Sequence, residues 1–364
     1  MRKLGLVHDY LLVLRGAERA FAAISDIWPT APIHTLLYDE EGTRHRFHDR
    51  RVVPSWLQRC RVRQDGFRRL LPLYPDVVRR LPVADYDVVV SSSTAFAHGV
   101  RPRKDAVHVC YCHSPFRYAW HERERALAEV PPALRPALDL ALRRHRGFDR
   151  RAAAAVTTFI ASSATGKERL RRWWGRDSIV IHPPVETERF GPSEPEDYYL
   201  LVGELVPHKR FEVALEAGLR ARRRVVVVGG GPELGRLRAR YGRSAEFLGR
   251  VDDSTLATLY ARAAALVMPN VEEFGITAVE AQAAGRPVIG VNAGGARETV
   301  VHGQTGWLVP PDDVDALASA LRTDYHDGRL AAPAEIREHA QRFSKATFQE
   351  RMRAAVDEAA GALA

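Results

Sequence analysis

Short apolar runs, each followed by a segment long enough for a helix, recur along the whole sequence. Residues 4–8, 107–112, 225–228 and 264–268 are four of these runs. An apolar run of this length, bounded by turn residues, is typical of a strand that is buried on both faces of a parallel sheet. Strands that alternate with helices in this way predict an α/β fold of doubly wound domains.

The length of the chain and one proline-rich stretch predict how it divides. With 364 residues the chain is too long for one typical hydrophobic core, so two domains are expected. His182-Pro183-Pro184 follows a strand-like run and begins a stiff connector. We therefore predict an N-terminal domain of residues 1–183, a second domain of residues 184–345 and a final helix of residues 346–364.

Charge and cysteine content limit the class of protein. The formal net charge of +9 favours a negatively charged partner such as nucleic acid, anionic lipid or a phosphorylated ligand. Three cysteines, an odd number, argue against a disulfide framework and for a reducing compartment. No apolar run approaches the ~20 residues that span a bilayer, and the first strand begins without a cleavable signal pattern. These features predict a cytoplasmic protein.

The stretch from Glu272 to Gly285 is the strongest candidate for a functional site. It follows a buried strand, and Gly275 begins a helix that ends at Gly285. The N-terminus of that helix presents unpaired N–H groups and a positive dipole end, which suit an anionic phosphate. Glu272 on the turn and Glu280 within the helix can accept hydrogen bonds from vicinal hydroxyl groups, which predicts a sugar and a ribose. The alternative is that both are ordinary helix charges in contact with solvent.

These two carboxylates resemble the signature of GT-B retaining glycosyltransferases of family four. Seven residues separate them, Phe274-Gly275 follows the first acid, and the second opens the sequence Glu280-Ala281-Gln282-Ala283-Ala284-Gly285. The resemblance implies two Rossmann-like domains facing a cleft, with the donor in the second domain, the acceptor in the first, and a last helix that returns to the first. It implies that Glu272 is catalytic and binds the transferred sugar, while Glu280 binds the ribose of a nucleotide-sugar donor.

Other residues take roles from the same resemblance. Lys209 matches a catalytic lysine on the donor diphosphate, although an ordinary surface lysine is the alternative. Glu204 stands where the family carries an arginine, so Arg210 is expected to supply that charge. Arg250 and Val251 are expected near the base. The full donor-binding set that the resemblance implies is Gly16, Gly203, Arg210, Arg250, Val251, Phe274, Gly275, Ile276, Thr277 and Glu280.

His113 follows a strand-like run, at the end of which open α/β sheets bind ligands. The sequence His113-Ser114-Pro115 is similar to a loop of mannosyltransferase-like family members, which implies that His113 is a catalytic residue in contact with the sugar. A structural loop histidine is the alternative. Cys110, Cys112 and His113 do not predict a zinc site, because no second Cys/His pair completes a tetrahedron.

The resemblance implies sugar transfer without a metal or other cofactor. The co-substrate is a GDP- or UDP-linked sugar, and the acceptor is a hydroxyl of a lipid-linked molecule or a glycan. The loop of residues 111–120 favours GDP-mannose, while transfer from a UDP-sugar and nucleotide-sugar 2-epimerisation are the alternatives within the same fold. A dehydrogenase or a nucleic-acid-binding protein is disfavoured, because no G-x-G-x-x-G follows the first strand and no nucleic-acid-binding module is recognisable.

Two arginine-rich clusters suggest a further partner. The first comprises Arg59, Arg61, Arg63, Arg68 and Arg69 among Trp56, Leu57, Phe67, Leu70 and Leu71, and the second comprises Arg143, Arg144, Arg146, Arg150 and Arg151 around Phe148. Basic residues among exposed apolar ones suit an anionic membrane surface, so we expect peripheral association with the inner membrane leaflet. The alternative is an ordinary solvated surface of long arginine side chains.

Overall fold

Two compact units make up the chain. The computed structural model describes residues 2–60, 66–323 and 330–362. The first unit contains the residues up to His182 together with the segment from Phe348 onwards, and the second contains Pro183–Thr347. The boundaries predicted from the sequence lie within two residues of these divisions.

The first unit is built on a seven-stranded parallel sheet. Its strands are β1 (Leu4–Leu11), β2 (Ile33–Tyr38), β3 (Val52–Pro54), β4 (Val88–Ser93), β5 (Val107–Cys112), β6 (Thr158–Ala161) and β7 (Ile179–Val180). They are ordered β3-β2-β1-β4-β5-β6-β7, so the direction of the strand order reverses between β1 and β4. The loops at the carboxyl ends of these two strands therefore diverge and open a crevice, where sheets of this kind bind ligands.

Helices on both sides cover this sheet. They are α1 (Gly16–Ile27), α2 (Tyr74–Val78), α3 (Arg123–Ala128), α4 (Arg135–Ala154) and α5 (Ala164–Arg169), with shorter helical turns at Trp56–Cys60, Phe67–Leu70, Ala97–Gly99, Pro132–Leu134 and Leu170–Trp174. Phe21, Ile24 and Ile27 recur every three residues on α1 and are buried, so one face of this helix packs onto the sheet.

The second unit repeats the same topology with a six-stranded parallel sheet. Its strands are β8 (Tyr199–Val202), β9 (Val225–Val228), β10 (Ala245–Gly249), β11 (Ala265–Met268), β12 (Val288–Val291) and β13 (Gly306–Val309). They are ordered β10-β9-β8-β11-β12-β13, and the order reverses between β8 and β11. The helices are α6 (Phe211–Ala221), α7 (Leu234–Tyr241), α8 (Asp253–Arg262), α9 (Ile276–Ala283), α10 (Ala296–Thr299), α11 (Val314–Arg322) and α12 (Pro333–Gln341), with short turns at Thr187–Arg189 and Pro207–Lys209.

The last helix, α13 (Lys345–Gly361), follows the second unit in sequence but packs in the core of the first. Phe348, Met352 and Val356 recur every four residues and lie in the same hydrophobic cluster as Phe21 and Ile24. A spacing of four places these side chains on one face of the helix, so the burial of this face attaches α13 to the first unit.

The predicted fold of two doubly wound, Rossmann-like domains is confirmed. Strand β1 is longer than the predicted run of residues 4–8, because Asp9 is accommodated within it. The buried Asp9 carboxylate accepts hydrogen bonds from the backbone N–H groups of residues 94–97, which offset the cost of its desolvation. Within the described part of the chain, no helix is both long and apolar enough to cross a bilayer.

Candidate functional site

Three glycine-containing loops lie side by side at the carboxyl ends of β8, β9 and β10. The backbone N–H of Gly203 donates to Val228 O (3.0 Å), and that of Gly229 donates to Gly249 O (2.7 Å). Gly229 has a φ of +138°, and a Cβ at this position would lie 1.8 Å from Gly203 O. A side chain cannot fit there, so the sequence Gly229-Gly230-Gly231 allows two loops to approach at backbone distance.

The acidic turn after β11 brings two of the predicted catalytic residues together. Lys209 Nζ forms an ion pair with Glu272 Oε1, and the amide of Asn270 donates to the same oxygen (2.8 Å). About a quarter of each charged side chain is exposed, 25% for Lys209 and 26% for Glu272. Gly275, with a φ of +90°, then begins α9. An ammonium group and a carboxylate therefore lie within reach of solvent, on elements that meet at the carboxyl end of the sheet.

The N-terminus of α9 adds the positive end of a helix dipole to this group. Ile276 and Thr277 form the first turn of the helix, whose N–H groups have no partners within the helix itself. Phe274 is buried against Phe343 at a ring distance of 5.5 Å and anchors the turn. A lysine and a helix N-terminus can together stabilise an anionic leaving group, and a carboxylate can bind hydroxyl groups beside it.

Glu280, on α9, has a hydrogen-bond donor that sequence reasoning missed. The hydroxyl of Tyr260, on α8, donates to Glu280 Oε2 at 2.8 Å. Tyr260 is fully buried, whereas Glu280 is partly exposed. Asn270, the partner of Glu272, was also missed as a site residue, although its place directly after a buried strand was a usable signal. No spacing rule connects Tyr260 with Glu280, since they lie on different helices.

Arg210 does not lie free beside the lysine. Its Nε donates to Asp312 Oδ1 at 2.7 Å, and both side chains are about half exposed (48% and 59%). Glu204 is exposed and has no ion pair among the described residues. The role predicted for Arg210, that it replaces the arginine missing at Glu204, therefore requires its guanidinium to be shared with or released from Asp312, and it stays a prediction.

Arg250 is a further cation at this edge of the sheet. Its Nε would lie 3.4 Å from a Cβ placed on Gly230, so the side chain crosses the glycine loop. Arg250 is exposed and forms no ion pair within residues that the structure describes. Val251 packs, partly buried, against the hydrophobic core of the second unit. The base-binding role predicted for Arg250 and Val251 also stays a prediction.

In the first unit, His113 lies at the carboxyl end of β5 and is firmly held. Its Nε2 lies 2.9 Å from Ser92 Oγ, and the hydroxyl of Ser162 donates to its carbonyl oxygen at 2.9 Å. Burial, reinforced by the neighbouring His8, lowers the pKa of His113 to about 3. The imidazole is therefore neutral near pH 7 and can serve as a hydrogen-bonding group, not as a charge.

His8, on β1, and Gly16, at the start of α1, lie in a neighbouring part of the same unit. Gly16 is the first residue of α1, which begins shortly after β1 ends. His8 was not predicted as a site residue. It is 1% exposed and stacks on Phe21 with ring centroids 4.7 Å apart. Burial also lowers the pKa of His8, so this unit holds two neutral histidines near the end of β1 and β5.

The cysteines are free thiols in the described chain. Cys110 and Cys112 are buried in β5, and Cys60 is exposed. Burial raises the pKa of Cys110 to about 12, so its thiol is unreactive near neutral pH. No group of three or more His, Cys, Asp or Glu side chains within the described residues is arranged to hold a metal ion.

The two arginine clusters differ from the expected pattern of exposed apolar residues. Phe148 and Leu57 were expected to be exposed, and this is wrong: they are 3% and 0% exposed and belong to the hydrophobic core. Trp56 is 49% exposed, as expected, whereas Phe67, Leu70 and Leu71 are partly buried against the same core. Arg61 and Arg63 lie outside the described residues, as do the side chains of Arg68 and Arg69.

Only part of the second cluster is free to meet a partner. Arg143 pairs with Asp139 at 3.0 Å, and Arg150 donates to the backbone oxygen of Trp173 at 3.2 Å. Arg144 and Arg151 are exposed on α4 and form no ion pair with any described residue.

Two protein-family models match consecutive parts of the chain. The model described as Glycosyltransferase Family 4 matches residues 16–189. The model described as Glycosyl transferases group 1 matches residues 185–349. Together the two matches extend over both units.

Curated relatives match over shorter stretches. D-inositol 3-phosphate glycosyltransferase of Streptomyces avermitilis is 34% identical over 215 residues, which are 49% of this chain and 46% of that protein. GDP-mannose-dependent alpha-(1-6)-phosphatidylinositol monomannoside mannosyltransferase of Mycolicibacterium smegmatis is 33% identical over 241 residues, 56% of this chain and 60% of that protein. The chain thus spans about half the length of the curated relatives it matches.

Solved structures match over nearly the whole chain. HepE of Anabaena in complex with UDP has a TM-score of 0.73 at 20% sequence identity, covering 98% of this chain and 100% of that chain. At this identity the likeness shows the fold alone.

Proposed function

The chain belongs to Glycosyltransferase Family 4, and on this premise we propose that it transfers a hexosyl residue from a nucleotide sugar to a hydroxyl group, with retention of the anomeric configuration. The observation that carries the proposal is the pairing of Lys209 with Glu272 at the start of α9, with Glu280 further along the same helix. A cation for a diphosphate and two carboxylates for hydroxyl groups are the groups that a nucleotide sugar requires.

Each residue has a separate role in this proposal. Lys209 and the N-terminus of α9 stabilise the negative charge that grows on the diphosphate as its bond to the sugar C1 breaks. Glu272 binds hydroxyl groups of the sugar, and Glu280 binds those of the ribose. The oxygen of the acceptor hydroxyl forms the new bond to C1, and the departing diphosphate takes its proton. No side chain is assigned as a nucleophile, and no metal ion is required.

The proposed donor is GDP-mannose. It is supported by the His113 loop and by the relative from Mycolicibacterium smegmatis, whose name specifies GDP-mannose. A UDP-sugar is the second candidate, because HepE was solved with UDP. The proposed acceptor is a lipid-linked molecule or a glycan, in line with the phosphatidylinositol monomannoside in the name of the relative from Mycolicibacterium smegmatis.

Hydrolysis of a panel of GDP- and UDP-linked sugars by the purified protein tests the donor. We expect slow release of mannose from GDP-mannose, with the α-configuration preserved in the first product seen by NMR, and unchanged rates in EDTA. If the protein releases sugar from UDP-sugars alone, the donor is a UDP-sugar and not GDP-mannose. Loss of activity in EDTA that magnesium or manganese restores would contradict the metal-independent mechanism. A 2-epimer as the product would instead indicate an epimerase.

A lipid-linked acceptor requires the enzyme to meet a membrane, and the outer face of α4 is the proposed contact. Leu140, Arg144 and Arg151 are spaced by four and seven residues, which places them along one face of the helix. Leu140 is 51% exposed, and Leu134, which lies just before the helix, is 57% exposed. Exposed leucines beside unpaired arginines suit an anionic bilayer.

Co-sedimentation with liposomes tests this contact. A basic residue near an anionic surface contributes about 1 kcal/mol, so Arg144→Glu should weaken binding to anionic liposomes by roughly tenfold or more. Arg243→Glu, an equal charge change at an exposed residue of the second unit, is the control and should have a smaller effect. Binding should decrease at high salt. The proposal is contradicted if co-sedimentation does not depend on lipid charge, or if both variants lose liposome binding equally.

A further inference from the structure

Tyr260 is a buried residue whose hydroxyl group forms a hydrogen bond at the candidate donor site. It lies on α8 and is 0% exposed, so it cannot itself contact a ligand. Its hydroxyl donates to Glu280 Oε2 at 2.8 Å, and Glu280 is partly exposed. The hydrogen bond therefore connects the interior of the second unit with a carboxylate at its surface.

The tyrosine ring is fixed by its surroundings. It lies edge-on to Phe190 with ring centroids 5.5 Å apart and belongs to the main hydrophobic cluster of the unit. Burial, with an added contribution from the charge of Glu280, raises the pKa of Tyr260 well above its ordinary value. The phenol therefore stays protonated near neutral pH, and it remains a hydrogen-bond donor.

A positive charge adds to the environment of the same carboxylate. Burial opposes the charge of Arg189, but its hydrogen bond to Glu186 and the charges of Asp253, Glu186 and Glu280 outweigh this and raise the pKa of Arg189. Arg189 is already paired with Glu186 at 3.1 Å and with Asp253 at 3.0 Å. It therefore acts on Glu280 through its field, whereas Tyr260 provides a directional contact.

We infer that Tyr260 is a positioning residue: its hydroxyl group fixes the direction of the Glu280 carboxylate and thereby sets the affinity for the ribose of the nucleotide ligand. The inference rests on the proposed function, in which Glu280 binds ribose. It makes Glu280 the counterpart of Glu272, whose carboxylate is held by the amide of Asn270. Each acid then has a protein donor that limits its rotation before the ligand arrives, which reduces the ordering cost of binding.

Titration calorimetry with Tyr260→Phe tests the inference. The probes are GDP and UDP, their 2′-deoxy forms, and inorganic pyrophosphate, which has phosphates but no ribose. The hydrogen bond is present before and after the ligand binds, so its loss acts through the cost of ordering Glu280 and should weaken ribonucleotide binding by roughly two- to tenfold. We expect a smaller loss for the 2′-deoxy nucleotide and none for pyrophosphate. In a Glu280→Gln background the same change should have little further effect, because the two residues act as one unit.

Tyr199→Phe is the matched control. Tyr199 is also buried in the second unit, and its hydroxyl donates to Leu321 O at 2.8 Å, away from Glu280. It should leave nucleotide affinity unchanged. Unchanged GDP and UDP affinity in Tyr260→Phe, or an equal loss for nucleotide and pyrophosphate, would overturn the inference. If the wild-type protein binds neither nucleotide, the proposed function fails and this inference fails with it.

Discussion

Glu272 lies on a turn and Glu280 on the helix that follows it, and the two carboxylates have different hydrogen-bond partners. Glu272 Oε1 is shared by Lys209 and Asn270, next to the proposed leaving group, whereas Glu280 is held by Tyr260. We therefore predict that Glu280→Ala weakens nucleotide binding, and that Glu272→Ala mainly removes turnover. Hydrogen bonds to charged groups are worth ~1.5–3 kcal/mol, so each loss should be about tenfold or more.

Calorimetry with the nucleotide alone and steady-state kinetics separate these two effects. The nucleotide lacks the transferred sugar, so Glu272→Ala should bind it nearly as tightly as the wild-type protein does. Equal nucleotide affinity of the wild-type protein and Glu280→Ala would contradict the ribose assignment.

Glu204 is the residue at which this chain departs from the family pattern. A carboxylate repels a diphosphate, and the nearby Arg210 is already paired with Asp312. We predict that Glu204→Arg strengthens the binding of GDP or UDP by several-fold, because it replaces a repulsive charge with an attractive one. The exposed Glu338, on α12, supplies the control Glu338→Arg, which makes the same charge change elsewhere in the unit.

The two variants should be compared at low and high salt. An advantage of Glu204→Arg that shrinks as salt is added would identify direct electrostatics as its origin. If both variants gain equally, the effect comes from overall charge, and Glu204 does not face the phosphates.

At the scale of elements, the glycine loop after β9 carries a strict steric requirement. Gly229 has a φ of +138°, and a Cβ there would overlap Gly203 O. We predict that Gly229→Ala lowers the free energy of unfolding by at least ~1–3 kcal/mol, the usual cost of a side chain in a strained backbone region. It should also weaken nucleotide binding, because the loops after β8 and β9 must separate.

Gly235→Ala is the matched control for this substitution. Gly235 lies on α7, where a Cβ would meet nothing within 4 Å. Alanine in a helix is favoured over glycine by roughly 0.5–1 kcal/mol, so this variant should be as stable as the wild-type protein or more so. Thermal and urea unfolding measure both changes. A Gly229→Ala variant of unchanged stability would mean that the loops can separate without loss.

The sequence predicted best those elements for which the local residue pattern and the position in the fold favour the same structure. Strands β5 and β9 match the predicted apolar runs at both ends, because each is buried on both faces of its sheet. Phe148 shows the opposite case, since arginines surround it in sequence and yet the ring lies in the core. Successive residues of a helix point to different faces, so a residue can be buried although its neighbours in sequence are exposed.

The candidate site was predictable in its carboxylates and lysine but not in their partners. The spacing of Glu272 and Glu280 is local, and a strand and a helix start fix their positions. Tyr260 reaches Glu280 only because α8 and α9 pack together, and Asp312 meets Arg210 from 102 residues away. Contacts of this kind depend on tertiary packing, which no short sequence pattern contains.

At the scale of the whole molecule, α13 follows the second unit in sequence but supplies part of the hydrophobic core of the first unit. Met352 is 0% exposed in the cluster that includes Phe21 and Ile24. We predict that Met352→Ala lowers the stability of the first unit by about 2–5 kcal/mol, the range for a large-to-small change in a core. Met352→Leu nearly conserves volume and should cost less than about 1.5 kcal/mol.

Hydrogen exchange followed by mass spectrometry can assign this loss to one unit. Peptides from β1, β2 and β4 should lose protection in Met352→Ala, because the opening of the first unit exposes its sheet to solvent. Peptides from β8, β9 and β11 should keep their protection, since α13 contributes no residue to the two hydrophobic clusters of the second unit. Equal loss in both sheets would mean that the two units unfold together, and the core contact of α13 would then stabilise the whole chain.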